Sequence, residues 1–305
     1  MDSQNNSIPV EFQSWFIPID IINMICCIIA AILSSIFLYF IIVDKTYYKV
    51  PMLLVANSCL AELIYAIDLL AMTLFTFHND ITHDYFNSSF CIFLGSISYM
   101  SAGIQNYSYL LQAFYRYVLI IRPSRLFFLS MKLNSILLVL TWSGCIIYSI
   151  VLVSTGQIDY FVDDQICQMP LQFSFLTIFN AIYTYIYPMF SITFIYARVA
   201  RHVHMMSKHI TPVNNLFHAQ RELRMFRRIV SLLSVAIVLG IPYQTFVIMS
   251  FAKRTPKYHF RIAFAFIDAS LIFVLVALLK ITDPLKASLM KRINGRSTNI
   301  VGTMA

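Results

Sequence analysis

The chain has 305 residues, 59% of them hydrophobic and only 12% charged, where a water-soluble domain carries about 25% charged residues. That balance excludes an ordinary soluble enzyme or binding domain and describes a polypeptide solvated mainly by lipid. The net charge of +8 would suit nucleic acid, but its distribution along the chain argues for contact with a membrane surface instead.

The N-terminal stretch MDSQNNSIPVEFQSWF has neither a basic n-region nor a small-residue cleavage site, so the first apolar segment is expected to insert as an uncleaved anchor. Crossing about 30 Å of hydrocarbon takes about 20 apolar residues as a helix. Seven segments satisfy this: residues 19–43, 51–77, 91–121, 133–154, 173–200, 222–250 and 259–283. The fifth is interrupted by Pro188 and the sixth by Pro242, kinks that a membrane helix tolerates.

With the N-terminus outside, Lys and Arg fall overwhelmingly on the inner segments. They include Lys45 and Lys49, then Arg116, Arg122, Arg125 and Lys132, then a basic run between the fifth and sixth spans, then the tail. The outer side holds only Lys253, Arg254, Lys257 and Arg261, all in the last outer loop. This bias predicts an external N-terminus and a cytoplasmic C-terminus. The sequons at Asn5 and Asn87 then fall outside, where glycosylation occurs. A third, at Asn106, lies within a span and should be silent.

Cys26, Cys27, Cys59 and Cys145 sit inside spans, whereas Cys91 and Cys167 lie on the oxidising side. Those two can pair there or remain two free thiols. Residues 155–168, TGQIDYFVDDQICQ, are acidic and partly alternating, which fits a short hairpin tethered by Cys167. The basic loop KRTPKYHFR (253–261) is either a tolerated flanking cluster or a contact for an acidic group or the carboxylate terminus of a peptide.

The third span ends in FYRYVLIIRP (114–123), with Cys91 standing 25 residues before Arg116. Trp142 sits in the fourth span, Pro188 precedes Tyr196 by eight, Pro242 lies in the sixth, and Asp283-Pro284 closes the seventh. This ordered set resembles the rhodopsin-like G-protein-coupled receptors over about residues 20–295. NSCLAEL (57–63) is similar to the family's N-L-A-x-A-D-L, with Glu62 for the Asp. YRY (115–117) is similar to D-R-Y with Tyr115 for the acid. DPLKA (283–287) is similar to N-P-x-x-Y with Asp283 for Asn and Ala287 for Tyr. IPY (241–243) keeps the proline of C-W-x-P, with Gly240 in place of the tryptophan.

The resemblance implies an all-α seven-helix bundle over 19–283, preceded by an external tail (1–18) and followed by a cytoplasmic amphipathic helix and short tail (284–305). LKASLMKRING (285–295) contains no cysteine, so palmitoylation is not expected there. A plasma-membrane receptor is implied, with a heterotrimeric G protein, membrane lipids and an extracellular ligand, a peptide first, as partners. No nucleic acid and no cofactor are implied.

The activation switch would comprise Arg116, Tyr117, Glu222, Tyr196, Pro242, Asp283 and Pro284. In it Arg116 is released from Glu222 as the sixth helix swings outward. The alternative for Glu222 is local pairing with Arg221, Arg224 or Arg227. The basic helix end RELRMFRRI (221–229) would dock the G protein or anchor on lipid headgroups.

The ligand cavity would be walled by Ser98, Tyr99, Asn180, Thr184, Tyr243, Gln244 and Phe273, although helical aromatics also serve simply as packing. Ala277 stands where light-sensing members attach retinal, which argues against an opsin. Ser98 stands where amine receptors keep a carboxylate, which argues against a monoamine ligand. A polar cluster of Glu62, Gln105, Lys280 and Asp283 would occupy the family's sodium position, with Lys280 acting as a built-in cation. Alternatively Lys280 snorkels to the surface, since Ile262 to Leu279 already spans about 27 Å.

An enzyme is disfavoured. All seven histidines fall in loops or at span ends, and no GxSxG, HExxH or working carboxylate pair appears. Intramembrane Glu62, Asp68 and Lys280 leave a transporter, or a chemosensory seven-helix protein uncoupled from G proteins, as the rival reading. The absence of an internal repeat weighs against a transporter.

Overall fold

A computed structural model describes residues 13–43, 50–82, 89–208 and 240–281. The helices are α1 (Phe16–Val43), α2 (Val50–Thr82), α3 (Ser89–Ile121) and α4 (Met131–Ser154). The fifth span comprises α5 (Phe175–Asn180), a π-helical turn (Ala181–Ile186) and α6 (Tyr187–Lys208). Helix α7 is described over 240–251, and α8 spans His259–Ile281. Each of the seven expected spans is thus represented by helix. Glu222, Asp283, Pro284, Asn5, Asn87 and the tail 284–305 lie outside the described residues, as does the side chain of Lys280.

Helix α1 shows how lipid inverts the usual pattern. Its buried positions are Phe16, Asp20, Asn23, Cys27, Ala30, Ser34 and Phe37, alternating four and three residues apart. That spacing is a single helical stripe, and it packs against α2 and α8. The opposite face exposes Ile21, Ile22, Ile25, Ile28, Ile29, Ile32 and Ile36. In water this helix would be inside out; in a bilayer the isoleucines meet acyl chains and the polar groups face protein.

Among the described residues, five helices are long and apolar enough to cross a membrane: Phe16–Val43, Val50–Thr82, Met131–Ser154, Phe175–His202 and His259–Val276. Helix α3 is not among them, because it is the central helix. It packs on α2, α4, α6 and the hairpin, and it buries Ser96, Ser98, Ser101, Gln105 and Ser108. At 33 residues it is about 50 Å long, so it tilts or projects beyond the hydrocarbon.

Helix α2 runs five residues past the expected end of its span, and Asn79 and Asp80 in that extension are buried. Ser130 caps α4 by accepting from the Leu133 amide at 3.3 Å. Ser174 caps α5 by accepting from Thr177 at 3.1 Å.

The connection between α4 and α5 is an antiparallel hairpin, β1 (Asp159–Phe161) and β2 (Ile166–Gln168), paired Asp159 to Gln168, Tyr160 to Cys167 and Phe161 to Ile166. The Cys91–Cys167 disulfide ties it to the start of α3. A Cβ at position 95 would run into the Cys167 carbonyl, so Gly95 lets the hairpin lie directly on α3.

Candidate functional site: a cavity beneath the hairpin

A cavity of about 220 Å³ opens between α3, the fifth span, α7 and α8, with Gln168 of the hairpin over it. Helix α3 lines it from Ser98 to Arg116, which is about 27 Å of helix at 1.5 Å per residue. One continuous space therefore connects the hairpin end of the bundle with the region of Arg116.

Six of the seven expected wall residues line it: Ser98, Tyr99, Asn180, Thr184, Tyr243 and Gln244. Phe273 does not. It is 53% exposed on the outside of α8, while Phe264, Ile267, Ser270 and Val274 present the cavity face. The correction is one of register, since adjacent residues on a helix point about 100° apart.

The wall is locked by hydrogen bonds. The Met169 amide donates to the Tyr99 hydroxyl at 3.1 Å, tying the hairpin to α3. Tyr148 donates to Asn180 Oδ1 at 2.8 Å, and Thr184 Oγ1 donates to the Asn180 carbonyl at 2.6 Å. Electrostatically the cavity is nearly neutral: among the described lining residues Arg116 is the sole charged side chain. Gln168, 1% exposed, has its Nε2 donor unpartnered among the described residues.

Gly240, which stands in place of the family's tryptophan, has a structural counterpart in the fifth span. A Cβ there would lie 3.0–3.1 Å from Tyr185 ring carbons and closer still to its hydroxyl. Tyr185, carried inward by the π turn, fills the space that a side chain at position 240 would need.

Toward the end of the cavity far from the hairpin, Tyr115 is buried among Val50, Leu54 and Leu138. Among the described residues Arg116 Nη1 has no hydrogen-bond partner, and Tyr196 lies near enough to interact with the guanidinium electrostatically. Both line the cavity. Tyr117 is half-buried in α3, and Pro242 is half-buried in α7.

Glu62 is fully buried. Its Oε1 accepts from Gln105 Nε2 at 2.7 Å and from the Tyr109 hydroxyl, while Oε2 has no partner among the described residues. Tyr109 was absent from the expected cluster. Its position one helical turn beyond Gln105 was the available signal.

A second polar centre also went unanticipated. Arg261, counted from sequence among the outer-loop charges, is 2% exposed. It donates to both oxygens of Asp80 at 2.7 and 2.9 Å and to Asp20 Oδ2 at 3.4 Å. Its Nε donates to the Asp164 carbonyl at 3.2 Å, and its amide donates to Asp164 Oδ1 at 3.1 Å. The Phe16 ring lies 4.1 Å from the guanidinium. Arg261 is therefore withdrawn from solvent, leaving Lys253, Arg254 and Lys257 exposed on that loop. Burial pushes the Asp164 carboxyl above the ordinary carboxylate range, although His259 and Arg261 pull it down.

A family model described as 7 transmembrane receptor (rhodopsin family) matches residues 34–280. Among solved structures, squid rhodopsin aligns over 92% of this chain and 85% of its own with a TM-score of 0.72. The two are 15% identical, so that likeness speaks to the fold alone. No curated protein matches the chain. With the family match covering most of its length, the chain belongs to the rhodopsin family of seven-transmembrane receptors.

Proposed function

We propose that the chain is a plasma-membrane receptor that binds an extracellular ligand, a peptide, beneath the hairpin and signals through a heterotrimeric G protein as the sixth helix moves outward. The observation that carries this reading is the single cavity that reaches from Gln168 to Arg116. Occupancy near the hairpin alters packing along the same wall that holds the arginine. In this reading Arg116 is released from Glu222, and Tyr117, Tyr196, Pro242, Asp283 and Pro284 complete the switch. The N-terminus is external, with glycans on Asn5 and Asn87, and the segment 284–305 rests on the inner leaflet.

A peptide suits the division of charge. The cavity accepts an uncharged side chain or capped end. The exposed Lys253, Arg254 and Lys257 on one side, and the exposed Asp159 and Asp163 on the other, meet charged flanks. The same neutrality favours, as a second reading, a small uncharged molecule held by the neutral wall, as in a chemosensory receptor.

Cells expressing the full chain with chimaeric G proteins, exposed in parallel to peptide and small-metabolite libraries, test the proposal. A second-messenger response to a peptide is the expected result, and a response confined to small neutral molecules selects the second reading. Flux of labelled ions without any second-messenger response overturns receptor signalling.

A further inference from the structure

Three carboxylates meet Arg261: Asp20 of α1, Asp80 of α2 and Asp164 of the hairpin loop, all buried. His259 is the second basic group of the cluster, with Nδ1 3.8 Å from Asp164 Oδ2 and 3.1 Å from the Pro256 carbonyl. Asp163 is exposed beside Asp164, and Asp268 lies two turns further along α8, near enough for Asp20 to act on it. With every acid ionised the buried centre carries an excess of negative charge whichever way His259 is protonated. A buried excess of this kind is costly, so the cluster takes up a proton.

The geometry identifies where. Asp80 has both oxygens on the guanidinium fork. Asp164 has the Arg261 amide and the neighbouring imidazole. Among the described residues Asp20 has one cation contact, a long one of 3.4 Å to the Nη1 already held by Asp80. It is the least compensated of the three and also the one beside open space. A void of about 20 Å³, lined by Asp20, Asn23, Thr73, Thr76 and Arg261 among others, has room for about one water molecule.

We propose that Asp20 is the proton-binding group of a pH-sensitive latch joining α1 and the hairpin to the first turn of α8. Protonated, Asp20 donates its O–H to the adjacent Asp80 oxygen and the cluster closes. Deprotonated, two carboxylates compete for one nitrogen and the contacts to α1 and the hairpin loosen. Because the hairpin covers the cavity, proton concentration on that side then governs ligand access. The side rests on the external N-terminus of the function proposed above, whereas the latch does not.

Full-length protein in nanodiscs, where one buffer bathes both faces, tests the latch independently of orientation and coupling. We expect a melting temperature about 2–4 °C higher at pH 6 than at pH 8. Hydrogen exchange of residues 157–168, corrected for intrinsic rates, should be slower at pH 6. Asp20→Asn supplies a neutral side chain of the same shape, so it should melt at one temperature at both pH values, matching the wild type at pH 6. His259→Gln should keep the wild-type pH difference. A wild type with no difference overturns the proposal, and so does an Asp20→Asn variant that retains it. Should Asp20→Asn fail to fold, loss of the difference in His259→Gln assigns the proton to the imidazole and overturns it equally.

Discussion

A carboxylate with no exposed surface persists in a bundle only if donors or a cation reach it. Glu62 has two donors on one oxygen, Gln105 and Tyr109, and no partner for the second among the described residues. Both of these donors are neutral, which is why the proposed role of Lys280 as a resident cation matters. A resident ammonium leaves no vacancy for sodium. The expected outcome is that purified receptor melts at the same temperature in NaCl and in choline chloride of equal ionic strength. Glu62→Gln, which strands the cation, should lose about 3–5 kcal/mol. Marked stabilisation by sodium over choline would refute the assignment. Glu62 and Gln105 were legible because each occupies a position that the motifs of α2 and α3 mark. Phe273 was misplaced because motif alignment locates a residue along a helix better than it fixes which way the side chain points.

At the level of elements, the fifth span turns on Pro188. Proline offers no amide to the carbonyl four residues back, and its ring crowds that carbonyl. The chain answers with the wider π turn over Ala181–Ile186, and the Thr184 carbonyl accepts instead from Asn106 Nδ2 of α3 at 2.7 Å. A backbone defect in one helix thereby becomes a tie to its neighbour, and the same turn carries Tyr185 into the space beside Gly240. Sequence marked the interruption at Pro188, but the acceptor it freed and the helix that claimed it depend on packing across 78 residues. Asn106→Ala leaves that buried carbonyl without its donor and should cost about 1–3 kcal/mol. In a Pro188→Ala background residue 188 regains an amide for Thr184, so the same change should cost less. A double-mutant cycle read by thermal unfolding should show coupling of about 1 kcal/mol. Equal losses in both backgrounds would mean that the two residues act independently.

On the scale of the whole molecule, seven spans were legible because lipid demands long apolar helices and sequence displays them without reference to partners. The Arg261 centre was hidden for the opposite reason. Its partners lie 241, 181 and 97 residues away, and a lone basic residue near a helix start reads as a flanking charge. Once that centre is recognised, the hairpin has, besides the Met169–Tyr99 hydrogen bond, two strong anchors: Cys167 to α3 through the disulfide, and Asp164 to α8 through Arg261. Two anchors on one short element are coupled, because either alone restricts the hairpin enough to hold the other's partners close. Replacing Cys91 and Cys167 by Ser should therefore cost about 2–5 kcal/mol of stability without undocking the hairpin. Arg261→Lys keeps the charge but loses the bidentate fork, and by itself should also leave the hairpin in place. Only the combination should expose residues 157–168, seen as a loss of hydrogen-exchange protection larger than the two separate losses together. If removing the disulfide alone abolishes protection, the arginine centre holds α1 and α2 to α8 but contributes nothing to keeping the cavity covered.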